Sequence, residues 1–248
     1  MPLDFHSNIS LLQWEIKYPK DMIVEDFVSL FFPRYCLACS RALVKGEEVL
    51  CTACLSELPK TNYHLEMENP VKNRLAGRLP LKHGWAFLKF RKSGVVQNLL
   101  HQLKYNNHPE VGVRLGLSYG KELVLSGFAR EFDLIVPVPL HSSRKRQRGY
   151  NQSAKFAAGL GQAMQIEWDE SISVRTQSAT TQTRKSKEER WENVKNVFSV
   201  DSHSKISGKR ILLVDDVITT GATLEACGQH LVSFGCGELS IACIAEAQ

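Results

Sequence analysis

No long apolar run is present in the sequence. The longest near the start, Phe27 to Phe32, is broken by Ser29 and preceded by Glu25 and Asp26, whereas a membrane span needs about 20 apolar residues. The first residues also lack a basic region, a continuous apolar core and a small-residue cleavage site, so no secretory signal is expected. A cytoplasmic address follows by default, and peripheral placement at an inner membrane would have to come through partners. Net charge is scarce: 31 basic against 26 acidic residues leave +5. That disfavours a dedicated DNA-coating protein but suits a polyanionic ligand. Internal repeats are absent. Apolar residues at 43% and charged residues at 23% exclude wholesale disorder, collagen and coiled coil. At roughly 150 residues per domain, 248 residues make one to two domains.

Cysteine is abundant and odd in number, at seven. Four fall together as Cys36-x2-Cys39-x11-Cys51-x2-Cys54, and Cys227, Cys236 and Cys243 are scattered. Two CxxC knuckles on a hairpin-length insert present four thiolates, enough to close a tetrahedral shell around one ion. With no open position for water, such a site is structural, and zinc is the expected metal. Reduced thiols without metal, a redox pair and iron–sulfur ligation are the alternatives. The other three cysteines read as buried free thiols.

Further along, residues 1–22 form an N-terminal extension without clear pattern, and Met22 is a candidate start. Residues 23–60 hold the cysteine module, 61–83 read as a linker, and 84–248 as the larger domain. There, strand and helix signals alternate. Trp85 to Arg91 reads as a strand, and Val95, Val96, Leu99, Leu100 and Leu103 recur at helical spacing. A helix over Pro109 to Leu125, a strand over Asp133 to Leu140 and a helix over Tyr150 to Met164 follow. The stripe Ala154, Ala157 and Gly161 on that last helix suits close packing on a sheet. A strand is expected near Ile172 to Arg175, and residues 176–196 are too polar for core and read as a loop with a short helix around Lys187 to Val194. Arg210 to Val214 is nearly all aliphatic, as a strand buried on both faces requires. Leu224, Cys227, Leu231 and Phe234 then mark a helix closed by Gly235, and Leu239 to Ala245 the last strand. This alternation predicts an α/β domain with a parallel sheet flanked by helices.

The richest segment is ILLVDDVITTGAT, Ile211 to Thr223. Asp215 and Asp216 are expected where a buried strand ends, which in open α/β sheets is where ligands bind. Thr219, Thr220, Gly221, Ala222 and Thr223 form a turn into a helix N-terminus. Glycine admits close backbone approach, while hydroxyls, free N–H groups and the helix dipole favour a phosphate. A phosphate cradle beside two carboxylates suits a sugar phosphate whose hydroxyls, or bound magnesium, face the acids. An ordinary strand-to-helix turn is the bland alternative.

After the strand at Leu134 to Val138 comes a basic arm with His141, Arg144, Lys145, Arg146 and Arg148. No acid lies between His141 and Lys155. Pro137 and Pro139 stiffen the exit and deliver a cationic loop to the sheet edge that carries the acids. It reads as an anion partner, as a solvated loop, or as a nucleic-acid contact with Tyr150 available to stack. His141 is either a general base or a hydrogen-bonding spacer.

The segment LLVDDVITTGAT is similar to the signature of type I phosphoribosyltransferases. That resemblance implies a type I phosphoribosyltransferase fold. It also implies that Asp215 and Asp216 contact the ribose 2′- and 3′-hydroxyls of 5-phosphoribosyl-1-pyrophosphate (PRPP), with Thr219 to Thr223 on its 5′-phosphate and magnesium bound with it. Thr219 stands where hypoxanthine-guanine enzymes carry an Asp, which argues against purine salvage and makes the loop look more like the orotate type. Together with the four cysteines, VPVPLH, RGYNQ and ATTQTRKSKEERWENVKNVF, the chain resembles the ComF family of competence-associated proteins, including its GntX-like members, from about Asp26 onward. Thr180, Gln182 and Thr183, then Arg190, Asn193 and Phe198, match that family's decorations. The polar stretch 176–196 matches the loop that closes over PRPP in type I enzymes. Arg144, Lys145, Arg148, Arg184, Lys185 and Lys187 are the pyrophosphate candidates.

The resemblance implies binding of Mg-PRPP in natural competence and DNA uptake, with transfer of phosphoribose to a nitrogenous acceptor. No base-reading hood is recognisable to name that acceptor. The alternative is a catalytically silent PRPP sensor or single-stranded-DNA-binding adaptor of the uptake machinery. A third reading has the zinc module recruiting a DNA translocase.

Overall fold

The computed structural model describes residues 32–175, 198–200 and 203–247. The 1–22 extension with Met22, and Thr180, Gln182, Thr183, Arg184, Lys185, Lys187, Arg190 and Asn193 with the short helix expected there, lie outside the described residues.

Four parallel strands make the main sheet: β1 (Leu81–Phe90), β2 (Leu134–Pro137), β5 (Arg210–Ile218) and β6 (Glu238–Ala247), in the order β1-β6-β5-β2. An isolated parallel bridge from Ile135 to Trp168 extends the β2 edge. Ile211 to Val214 are each at most 1% exposed. Successive strand residues point to opposite faces, so β5 is covered on both. The α/β expectation with a parallel sheet therefore holds.

The helices stand close to where apolar spacing put them: α3 (Val95–Tyr105), α4 (Glu110–Leu125), α6 (Gln152–Met164) and α8 (Ala222–Ser233). Val96, Leu99, Leu100 and Leu103 form the buried stripe of α3. Helix α6 packs on β2 and β5, and it also presses against α4. At that crossing a Cβ on Gly116 would lie 2.3 Å from the Phe156 carbonyl, and one on Gly159 would lie 2.2 Å from the Val113 carbonyl. Only glycine permits two helix backbones to meet so closely. Cys227 and Cys243 are buried and Cys236 partly so, all as free thiols.

Three sequence readings are corrected. Residues 61–83 are not a linker: they hold a 3-10 turn (Tyr63–Leu65), helix α2 (Pro70–Leu75) and the start of β1 at Leu81. Asn69 caps α2 by accepting from the amides of Val71 and Lys72, both at 3.1 Å, with Pro70 opening the helix. Val71 and Leu75 are fully buried. The apolar positions Val71, Leu75 and Leu79 keep helical spacing that the surrounding Lys, Asn and Arg obscure. The basic arm is a helix, α5 (Ser142–Arg148), rather than a loop, and Gly149 ends it at φ 78°. Finally, β5 does not stop at the acids but pairs with β6 as far as Ile218 opposite Glu246.

The segment before β1 docks on the sheet edge. Lys60 bridges Leu88 in antiparallel sense, the Thr61 amide donates to the Phe87 carbonyl (2.9 Å) and the Lys89 amide to the Pro59 carbonyl (2.8 Å). At the far side, β3 (Ser173–Arg175) and β4 (Phe198–Val200) form an antiparallel ribbon. It sets Arg175 opposite Phe198. The short helix α7 (His203–Ile206) leads into β5.

Candidate functional site

Where β2 ends, a crevice opens. Its ladder with β5 runs only from Leu134–Ile211 to Pro137–Val214, with a last bond from the Val138 amide to the Val214 carbonyl (2.8 Å). Beyond it β5 keeps a neighbour on the β6 side alone. Asp215 and Asp216 sit on that half-open stretch, at a divergence of strands where α/β sheets take ligands.

The floor of the crevice is the start of α6. Asn151 caps that helix by accepting from the Ser153 amide (3.2 Å), and its side chain donates to the Val138 carbonyl (2.9 Å), tying the α6 N-terminus to the departing β2 chain. Ser153 Oγ then donates to Asp215 Oδ1 (2.8 Å), and the Asp216 amide donates to the same oxygen (2.8 Å). Desolvation in the crevice, and next the charge of Asp216, push the Asp215 carboxyl up to about 7, against the bonds from the Asp216 amide and Ser153. Asp216 accepts from the Val217 amide through Oδ1 (2.6 Å) and pairs through Oδ2 with Lys104 Nζ (2.8 Å).

These groups line a cavity of about 270 Å³ in which Asp215, Asp216 and Thr223 face Lys104, Arg144, Arg148 and Arg175. Burial, and then Arg144, lower the pKa of Arg175, opposed by Asp215. Arg148 donates to Gln152 Oε1 (2.9 Å) and its guanidinium lies 5.3 Å from the centre of the exposed Tyr105 ring. Two carboxylates facing four cations in one cleft can hold a ligand with hydroxyls at one end and phosphoryl oxygens at the other. The acids are also donors of the type magnesium takes.

Of the residues singled out from sequence, the cavity gathers Asp215, Asp216, Thr223, Arg144 and Arg148. Lys145 points away and pairs with Glu170 (3.0 Å). His141 caps α5, its Nδ1 accepting from the Ser143 amide (3.2 Å). Thr219, Thr220 and Ala222 are exposed, and Gly221 is buried at φ 80° ahead of α8. Their turn is braced from beneath. Arg74 donates to the Thr219 carbonyl (2.6 Å) and to Glu246 (2.6 Å), while Arg78 donates to the Thr220 carbonyl (3.0 Å) and pairs with Glu225 (2.8 Å). Glu246 is 2% exposed and also accepts from the Tyr63 hydroxyl (2.8 Å). Sequence reasoning missed Lys104, Ser153 and Arg175 in the cavity and Arg74 and Arg78 beneath it. Ser153 directly follows the RGYNQ motif, which was a usable signal, whereas the other four stand in segments without one.

The second candidate centre is the cysteine cluster. The Sγ atoms of Cys36, Cys39, Cys51 and Cys54 lie within 4.8 Å of one another. Cys51 opens helix α1 (Thr52–Ser56) as its cap, accepting from the Cys54 amide (3.4 Å), and the Cys51 amide donates to Cys36 Sγ (3.3 Å). The Cys39–Cys51 sulfur separation of 3.8 Å agrees with the edge of about 3.8 Å for a tetrahedron with bonds of about 2.3 Å. Arg41 bonds Cys39 Sγ (3.4 Å) and brings that thiol down to about 6, while burial raises Cys54. The donor set fits a metal such as zinc. Among the described residues, no helix is long and apolar enough to cross a membrane.

The family model described as "Phosphoribosyl transferase domain" matches residues 124–248. The chain is 29% identical over 212 residues to the DNA utilization protein YhgH of Escherichia coli, covering 84% of this chain and 88% of that one. It is 36% identical over 116 residues to competence protein F of Haemophilus influenzae, covering 46% of this chain and 51% of that one. Among solved structures, glutamine PRPP amidotransferase from B. subtilis aligns over 58% of this chain and 30% of its own, at 22% identity and a TM-score of 0.41. With half its length matched by that family model, the chain belongs to the phosphoribosyl transferase domain family, and it is a homologue of the YhgH and ComF proteins.

Proposed function

We propose that this protein binds Mg-PRPP in the crevice and acts in DNA uptake or utilisation, the processes named for its relatives. The observation that carries the ligand is the opposition of Asp215 and Asp216 to Arg144, Arg148 and Arg175 across one cavity. The acids orient the ribose 2′- and 3′-hydroxyls by accepting from them. Near neutral pH Asp215 carries its proton part of the time, so it also donates. The turn from Thr219 to Thr223 receives the 5′-phosphate against the α8 N-terminus. The arginines receive the pyrophosphate, where fixed cations are worth most because charge builds up as it departs.

Transfer to an acceptor breaks the C1–O bond to pyrophosphate, forms a C1–N bond and releases the nitrogen's proton. Magnesium, when bound, would supply charge neutralisation on the pyrophosphate. Zinc in the four-cysteine cluster is structural in this reading, since all four positions are filled by protein.

The test is calorimetric titration of the zinc-loaded full chain with PRPP, with and without Mg²⁺, against the Asp215→Asn/Asp216→Asn double variant. Magnesium-dependent binding lost in the double variant is the expected result. Folded wild-type protein that binds no PRPP overturns the reading. A second role, handling of single-stranded DNA, is favoured by the exposed Tyr105 beneath Arg148, a stacking platform at the mouth of a cationic cleft. Salt-sensitive strand binding that persists in the double variant would support it.

A further inference from the structure

We propose that Lys104 is the displaceable cation of the crevice: it neutralises Asp216 in the free protein and, when a metal-bound sugar pyrophosphate occupies the acids, swings onto the pyrophosphate oxygens. This rests on the reading of the crevice as a PRPP site and assigns a specificity role to a residue that no motif marked.

In the free protein both oxygens of Asp216 are engaged, Oδ1 by the Val217 amide and Oδ2 by Lys104 Nζ at 2.8 Å. The pair is poorly solvated, with the two side chains 22% and 19% exposed. An incoming ribose hydroxyl or divalent cation therefore meets an ammonium already seated on the carboxylate it needs. A metal ion and an ammonium a few ångströms apart in a partly desolvated cleft repel strongly. The lysine has to leave for the acids to be used.

Its destination follows from where it is anchored. Lys104 stands in the last turn of α3, next to the fully buried Leu103, whose carbonyl accepts from the Tyr150 hydroxyl at 2.6 Å. The backbone is pinned, and the flexible stem is what moves. Within the cavity the remaining charged groups are Arg144, Arg148, Arg175 and Asp215. Once detached from Asp216, the ammonium meets only cations on the arginine side among the described residues until an anion arrives. Pyrophosphate is that anion. A lysine suits this exchange because its charge is compact and its stem rotates, whereas an arginine fork would hold a carboxylate through two bonds.

Two ligands separate this role from plain support of the fold. Ribose 5-phosphate offers the same sugar and 5′-phosphate as PRPP but no pyrophosphate. The full chain, Lys104→Gln and Lys104→Arg would each be titrated calorimetrically with both, in the presence of Mg²⁺. For Lys104→Gln the expected result is PRPP weakened about tenfold or more, the worth of a lost charge-assisted bond, with ribose 5-phosphate unchanged or tighter. Lys104→Arg should weaken both ligands, because the fork stays on Asp216. If Lys104→Gln shifts both ligands by the same factor, or neither, the proposal is overturned while the site reading stands. Should the Gln variant unfold, Lys104→Met, which keeps the stem, provides the same comparison. Wild-type protein that binds no PRPP, or PRPP binding that survives Asp215→Asn/Asp216→Asn, overturns the site reading itself.

Discussion

The cysteine cluster and the acidic crevice are built on opposite plans. All four thiols come from residues 36–54, brought together by two knuckles and one short helix. The crevice draws Lys104 from α3, Ser153 from α6, Arg175 from the β3 ribbon and the acids from β5. One is a local knot of thiols that an ion could hold shut. The other exists only because a finished sheet brings distant segments to one edge. A ligand should therefore be indispensable to the structure of the first and nearly irrelevant to that of the second. Beneath the crevice, Arg74 of α2 and Arg78 just after it reach from the segment between the cysteine module and β1 to the turn beside the acids.

The strongest way to break this contrast is to remove the metal. Structural zinc contributes on the order of 10 kcal/mol of binding free energy that is also local folding free energy. Chelation or Cys51→Ser should expose the amides of residues 36–58 to hydrogen exchange while β5 and β6 stay protected. Loss of protection across the sheet at the same chelator concentration would show that the knot is not local.

A smaller effect is expected at the junction. Arg74→Ala leaves Glu246 buried with Tyr63 as its remaining side-chain partner and takes a donor from the Thr219 carbonyl. Removing one partner of such a pair costs about 3 kcal/mol, to be read from urea unfolding, and should loosen the Thr219–Thr223 turn as well. An unchanged unfolding midpoint would mean that this brace carries no energy.

The last expected change has the opposite sign. Asp215 titrates near 3.8 when unfolded and is held up to about 7 in the crevice. Between those values the folded state keeps a proton that the unfolded state has lost, so stability falls as pH rises from about 4 to 7 and is level above. Asp215→Asn removes that slope and can still accept from Ser153. It should match the wild type near pH 4 and exceed it in stability at pH 8. A variant less stable than the wild type at pH 8, or a slope that persists in it, would mean that the acid supports the fold rather than straining it.

Several elements were legible because their signals are local. The aliphatic run Ile211 to Val214 became the doubly covered strand, the stripe on α3 became its buried face, and the cysteine spacing became a cluster of ion-binding size. Helix α2 was obscured because three apolar residues among lysines and arginines give a weak periodic signal. Helix α5 was read as a loop because its seven residues bury nothing, so only the His141 cap and the Gly149 terminator mark it. Lys104 was invisible for a different reason. A lysine in the last turn of a helix is the expected partner of the helix dipole, and only the tertiary placement of α3 gives it Asp216.

The sequence by itself determined the α/β class, the four-cysteine knot and the chemistry of the acid and threonine segment, since each depends on residue type at short spacing. Tertiary structure alone decided that β2 leaves the sheet one residue before Asp215, that Arg74 braces the turn from outside the matched domain, and that an ammonium sits on Asp216. Those arrangements join residues far apart in the chain. Their partners are chosen by how the sheet and helices pack, which no short stretch of sequence encodes.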